Sequence, residues 1–159
     1  MNSSGTDEYI SRIVEQYSQT LFRVSYTILH SSADAEDIVQ EVFVQLLRKT
    51  PVFNGAEHEK AWLLRTAINM SRNKLKSSAR KIFSLEELPA ADFPVEESDL
   101  IDAVMSLPEK YSTVLHLYYY EDYSIADIAR ILKTPAATIG TRLSRARALL
   151  KNKLKGDKF

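Results

Sequence analysis

The sequence predicts an all-α protein made of two small helical domains. Three observations carry this: long runs with apolar residues at three- and four-residue spacing, no sustained alternation of apolar and polar residues, and only four glycines in 159 residues. A chain of this length buries one ordinary core or two small ones, so internal boundaries decide the domain count. One boundary is visible over residues 78–97, where Pro89 and Pro94 accompany five acidic residues and no helical period lasts. The expected division is residues 7–77, a linker over 78–97, and residues 98–155.

The first helix is expected over about Asp7 to Leu29, with Ile10, Ile13, Val14, Tyr17, Leu21, Val24 and Ile28 on one side. Ser31 or Ser32 offers an N-cap for a second helix reaching about Lys49, with Asp34, Glu36 and Asp37 favourably placed near the positive end of its dipole. Its inward positions are Ala35, Ile38, Val39, Val42 and Leu46, which leaves Asp37, Gln40, Glu41 and Gln45 on a polar outer face. Pro51 and Asn54-Gly55 mark residues 50–59 as a loop. A third helix, from about Glu57 to Ser77, is expected to bury Ala61, Leu64, Ile68 and Leu75. Its opposite face carries Trp62, Arg65, Asn69, Arg72, Asn73 and Lys76, a mixture of groups that stack on bases and neutralise phosphates. Within the linker, Ile82, Phe83 and Leu85 form an apolar cluster suited to docking on a neighbour.

After the linker, Leu100, Ile101, Val104 and Leu107 begin the second unit, Pro108 opens a helix, and Tyr111, Val114, Leu115 and Tyr118 supply its apolar side. Residues 124–151 then read as a helix-turn-helix. Ser124 caps a helix whose apolar face is Ile125, Ile128, Ala129 and Leu132, and Thr134-Pro135 interrupts it. The second helix of the pair buries Ile139, Leu143, Ala146 and Leu150, and presents Thr138, Thr141, Arg142 and Arg145 as a separate stripe of dimensions that fit a duplex major groove.

The net charge of zero conceals strong segregation. Six basic and no acidic residues lie between Arg65 and Lys81; ten acids face only Lys110 between Ile82 and Tyr123; nine basic residues oppose Asp127 and Asp157 from Ser124 onward. Two basic blocks predict two phosphate-facing surfaces. The chain has no cysteine, hence no disulfide and no thiolate metal site. Its first residues lack the pattern of a signal peptide, and no apolar run approaches the roughly 20 residues that span a bilayer. A cytoplasmic protein without direct membrane insertion is expected. A carboxylate-bridged metal site is the enzymatic reading to weigh, since Glu36, Asp37, Glu41, His30 and His58 are all in the first domain. Such bundles use inward Glu-x-x-His pairs, which the sequence lacks, so no catalytic residue, metal or cofactor is expected.

Three blocks in order carry a family resemblance. DAEDIVQEVFVQLLRK (Asp34 to Lys49) and AWLLRTAINMSRNKL (Ala61 to Leu75) resemble sigma region 2, and the stretch from Leu107 to Leu150 resembles sigma region 4 of the extracytoplasmic-function (ECF) sigma factors. The resemblance implies a sigma factor that binds core RNA polymerase and directs transcription initiation at promoter DNA. It gives Asp37, Gln40 and Glu41 to the polymerase and Trp62, Arg65, Asn69, Arg72, Asn73 and Lys76 to the −10 element. The loop from Phe53 to Glu59 corresponds to a specificity loop, Lys74 joins the phosphate contacts, and Thr138, Thr141, Arg142 and Arg145 read the −35 element. It also implies an anti-sigma factor as regulatory partner. Two departures stand out: Lys133 occupies a turn position that is often glycine, and Gly140 and Ser144 replace larger residues on the reading face. The alternative reading is a stand-alone helix-turn-helix regulator that binds duplex DNA without polymerase.

Overall fold

The computed structural model describes residues 3–81 and 95–156, and every regular element among them is helical. The chain divides into two compact units, Met1–Ser78 and Ala79–Phe159.

In the first unit α1 (Ser3–Leu29) packs along α2 (Ser32–Lys49), and α3 (Ala56–Lys81) follows. The buried stripe of α1 is Ile13, Tyr17, Leu21, Val24 and Ile28, with Ile10 half-buried. Val14, expected inside, is exposed: it lies one residue past Ile13, at the edge of a stripe that the four-residue step to Tyr17 already fills. Between α1 and α2, His30 adopts the left-handed conformation at φ 59°, and Ser31 caps α2 by accepting the Asp34 N–H at 3.2 Å. Ala35, Ile38, Val42 and Leu46 are buried, Val39 partly. Thr50 closes the helix in a left-handed cap, its N–H donating to the Leu46 carbonyl.

The loop before α3 is shorter than expected, because Ala56 to Glu59 already form the first helical turn. Leu63, Leu64, Ala67, Ile68 and Ser71 are buried, Ala61 is half-buried, and Leu75 is exposed. Leu75 continues the buried face in register, so α3 runs on past the side chains that cover it. A buried carboxylate fastens this helix to α1: Glu59, 6% exposed, accepts the Tyr9 hydroxyl at 2.9 Å and lies 3.6 Å from the Arg12 guanidinium. Burial, then the Glu59 bond, pushes the Tyr9 phenol up to about 12. Glu59→Ala strands the phenol and is expected to destabilise the first unit by about 1–3 kcal/mol, more than Glu59→Gln, in urea unfolding followed by fluorescence of Trp62, the single tryptophan.

Burial holds the His30 imidazole below its ordinary value. The folded chain therefore binds fewer protons at His30 than the unfolded chain, and stability from this group falls as pH drops below the unfolded pKa of about 6.5. His30→Asn, which tolerates the left-handed conformation, is expected to flatten that part of a urea-midpoint against pH curve.

The expected linker at 78–97 is shortened by helix at both ends, since α3 reaches Lys81 and α4 (Val95–Met105) begins before residue 98. Ile82, Phe83 and Leu85 lie outside the described residues. The second unit centres on α5 (Glu109–Leu115), which packs on α4 and α7 (Ala136–Gly156) and widens into a π-helical turn over His116–Tyr120. Leu100 is exposed, Ile101 and Val104 are half-buried, and Ala103 and Leu107 face the core. Pro108 opens α5 as expected, its carbonyl accepting from Tyr111 and Ser112. Instead of one apolar side, the run from Ser112 in α5 to Leu117 in the π-helical turn is buried all round, with Tyr111 and Tyr118 at its margins. Its polar members bond locally: Thr113 donates to Glu109 Oε2 at 2.8 Å, and His116 Nε2 lies 3.0 Å from Glu121 Oε2.

α6 (Ile125–Leu132) starts in a complete capping box, with Ser124 Oγ accepting the Asp127 N–H and the Asp127 carboxylate accepting the Ser124 N–H. It buries Ile128 and Ile131, whereas Ile125, Ala129 and Leu132 are half-buried; the inward face is rotated from the expected one. Lys133 makes the turn at φ 53°, and the Pro135 carbonyl accepts from Thr138 and Ile139 to start α7. Lys133→Gly relieves the left-handed strain and is expected to raise stability of the second unit by about 0.5–1 kcal/mol in thermal unfolding.

Candidate nucleic-acid interface

The outer face of α3 follows directly from its inner one. With Leu63, Leu64, Ala67 and Ile68 buried, Asn69, Asn73 and Lys76 are exposed and Trp62, Arg65 and Arg72 are half-buried. All six expected residues thus lie on the accessible side, spaced by three or four residues along it except for the adjacent Arg72 and Asn73. Trp62 is neither core nor free: the Phe53 ring meets it edge-on at 6.0 Å, and His58 meets Phe53 at 5.3 Å and 85°. The loop 50–55 is thereby held next to the head of the basic face. Its Val52 is 87% exposed.

Lys74 does not join this face. Its ammonium, expected at phosphate, lies 3.3 Å from Asp34 and 3.7 Å from Asp37. The reason is geometric: one step of 100° beyond Asn73 turns the side chain toward the acidic opening turn of α2.

On α2, Asp37, Gln40 and Glu41 are exposed, with Gln45 Nε2 donating to Glu41 at 3.5 Å. Sequence reasoning missed that the same face continues into Val44 and Leu47, both exposed, Leu47 at 48%. A signal was present, since residues 42–47 hold more apolar side chains than one buried stripe needs. An acidic edge beside an apolar one suits a partner that offers both arginine and hydrophobic side chains.

The second surface lies on α7. Ile139, Leu143 and Ala146 are fully buried and Leu150 partly, so Thr141 and Arg145 are exposed and Thr138 and Arg142 half-buried on the other side. Thr141 Oγ1 donates to the Ala137 carbonyl at 3.0 Å, which leaves its lone pairs and methyl group outward. The neighbouring cations are engaged: Arg130 pairs with Asp127, and Arg147 lies over the rings of Tyr118 and Tyr119. Among the described residues, Arg142 and Arg145 have no such ion pair or ring contact. Gly140 has open space where a Cβ would stand, so packing does not require glycine on this face.

Among the described residues no three His, Cys, Asp or Glu side chains gather to hold a metal ion, and no helix is long and apolar enough to cross a membrane. Two helical units, one carrying a helix-turn-helix and both an accessible basic stripe, define a DNA-binding protein. Residues 13–81 match sigma-70 region 2 and residues 98–150 match sigma-70 region 4. RNA polymerase sigma factor SigV of Bacillus subtilis is 30% identical over 89% of this chain and 88% of its own length. ECF RNA polymerase sigma factor SigW of the same species is 26% identical over 95% and 91%. Among solved structures, CnrH in complex with the cytosolic domain of CnrY superposes with a TM-score of 0.74 at 22% identity, covering 97% of this chain and 92% of that one. The sigma factor RpoE of Bartonella quintana, in complex with the anti-sigma factor NepR, gives 0.73 at 22% identity, covering 91% and 96%; both likenesses are of fold. The chain belongs to the ECF sigma factors of the sigma-70 family, and it directs promoter-specific transcription by RNA polymerase.

Proposed function

We propose that the two units divide the work of initiation, residues 7–77 binding core polymerase and opening the −10 element and residues 98–155 reading the −35 element, with 78–97 between them. The observation that carries this reading is the pair of accessible stripes of different chemistry. The α3 stripe joins Trp62 to Asn69 and Asn73, groups that stack on and hydrogen-bond to unpaired bases, while Arg65, Arg72 and Lys76 neutralise the strand. The α7 stripe of Thr138, Thr141, Arg142 and Arg145 has the pattern of a major-groove reader, in which an arginine pairs with both acceptors of a guanine edge. Asp37, Gln40 and Glu41, with Val44 and Leu47, dock on the polymerase. All of these groups act by binding; the chain itself makes or breaks no bond. It works in the cytoplasm, where polymerase and promoters are. As RpoE is solved in complex with the anti-sigma factor NepR, and CnrH in complex with the cytosolic domain of CnrY, an anti-sigma factor is the matching partner here.

Promoter binding with and without core enzyme tests this. The expected result is weak, salt-sensitive duplex binding by the free chain and specific binding once core is added. Tight sequence-specific binding without core would instead make the chain a stand-alone helix-turn-helix regulator.

A further inference from the structure

Beyond the left-handed Thr50 that closes α2, the loop 50–55 owes little to special backbone geometry. Gly55 has no positive φ, and a Cβ on it would meet nothing within 4 Å. His58 adds a second tie between the loop and α3, beside the Phe53–Trp62 contact. Its Nδ1 accepts the Asn54 backbone N–H at 3.0 Å, and its ring stands edge-on to Phe53, which in turn stands edge-on to Trp62. A ring that accepts through Nδ1 carries its single proton on Nε2. His58 is otherwise exposed, so the bond and the ring contact serve the loop and not a core.

We propose that His58 is a positioning residue for promoter reading: by accepting the Asn54 N–H and bracing Phe53, it fixes the loop beside Trp62 so that one unpaired −10 base is received between loop and ring. The proposal rests on the reading of the α3 face as the −10 surface. Without the bond, Phe53 and the exposed Val52 lose their fixed place relative to Trp62, and a base loses the shape that distinguishes it from the other three. Discrimination falls while overall affinity, carried by phosphate contacts, is little changed.

The test compares His58→Ala, His58→Asn and Trp62→Ala in reconstituted holoenzyme, with open-complex formation measured on promoters carrying each of the four bases at successive −10 positions. The Asn Oδ1 takes the place of Nδ1 as acceptor without the imidazole. His58→Ala is expected to reduce discrimination at one position about 3- to 10-fold, as the loss of one hydrogen bond allows, and His58→Asn to restore most of it. Amide exchange at Asn54 should quicken in the alanine variant only, and the ¹⁵N shifts of His58 should report the Nε2–H tautomer. Selectivity changed by Trp62→Ala but not by His58→Ala would overturn the proposal and leave the α3 reading standing. Equal losses in the alanine and asparagine variants would also overturn it, because the bond would then not be the cause. If Trp62→Ala leaves selectivity untouched, the α3 reading fails and takes this proposal with it.

Discussion

Replacing Asp37 and Glu41 together by lysine is expected to weaken binding to core polymerase at least about 100-fold, measured by fluorescence anisotropy of labelled protein titrated with core. Both carboxylates are exposed on the face of α2 that also presents Val44 and Leu47. Reversal therefore places two cations where the proposed partner offers arginine, and it does so beside the apolar contact that both sides desolvate on docking. Asp37 carries a second consequence. It lies 3.7 Å from Lys74, so lysine at position 37 sets two ammonium groups together and turns α2 and α3 against each other locally. The Trp62 fluorescence of the variant separates the two effects, because a folded first unit keeps its wild-type spectrum while losing polymerase. Leu47→Ala, which changes no charge, should cost core affinity about 10-fold on apolar area alone.

The second large effect belongs to Trp62. Trp62→Ala is expected to lower open-complex formation about 10- to 100-fold on duplex promoter, read by 2-aminopurine fluorescence within the −10 element, while core affinity is retained. Stacking on an aromatic ring is worth about 1–3 kcal/mol per base, and this ring is backed by Phe53, which keeps its face set before the base arrives. A template already unpaired across the −10 element should recover most of the loss, since the ring's contribution is spent on unstacking that such a template no longer requires. Asn69→Ala, two turns further along α3 and exposed, should show the same rescue with a smaller initial loss.

Much of this architecture is legible in the sequence because it follows from local rules. Ser31 and Ser124 cap the helices they precede, and the α7 stripe of Ile139, Leu143 and Ala146 faces inward, which puts Thr141 and Arg145 outside. The misses share a different origin. Val14 and Leu75 have the right period but stay over a third exposed, since coverage is a property of the packed unit. α5 reads as amphipathic because Ser112, Thr113 and His116 look like surface residues. They are buried because Glu109 and Glu121 supply bonds that spacing alone does not announce. Likewise, Lys74 belongs to a run of cations in sequence and to the acidic turn of α2 in space. The candidate interface is legible as stripes; its partners within the protein, Phe53 and His58 against Trp62 and Lys74 against Asp37, are tertiary facts.

The most direct measurement is transcription by purified core enzyme and this chain across a library of promoter sequences. The account predicts run-off products whose templates share two sequence signatures at constant separation, the upstream one altered by substitution at Arg142 or Arg145 and the downstream one by substitution at Trp62. Intact core binding with no run-off product from any template would contradict it.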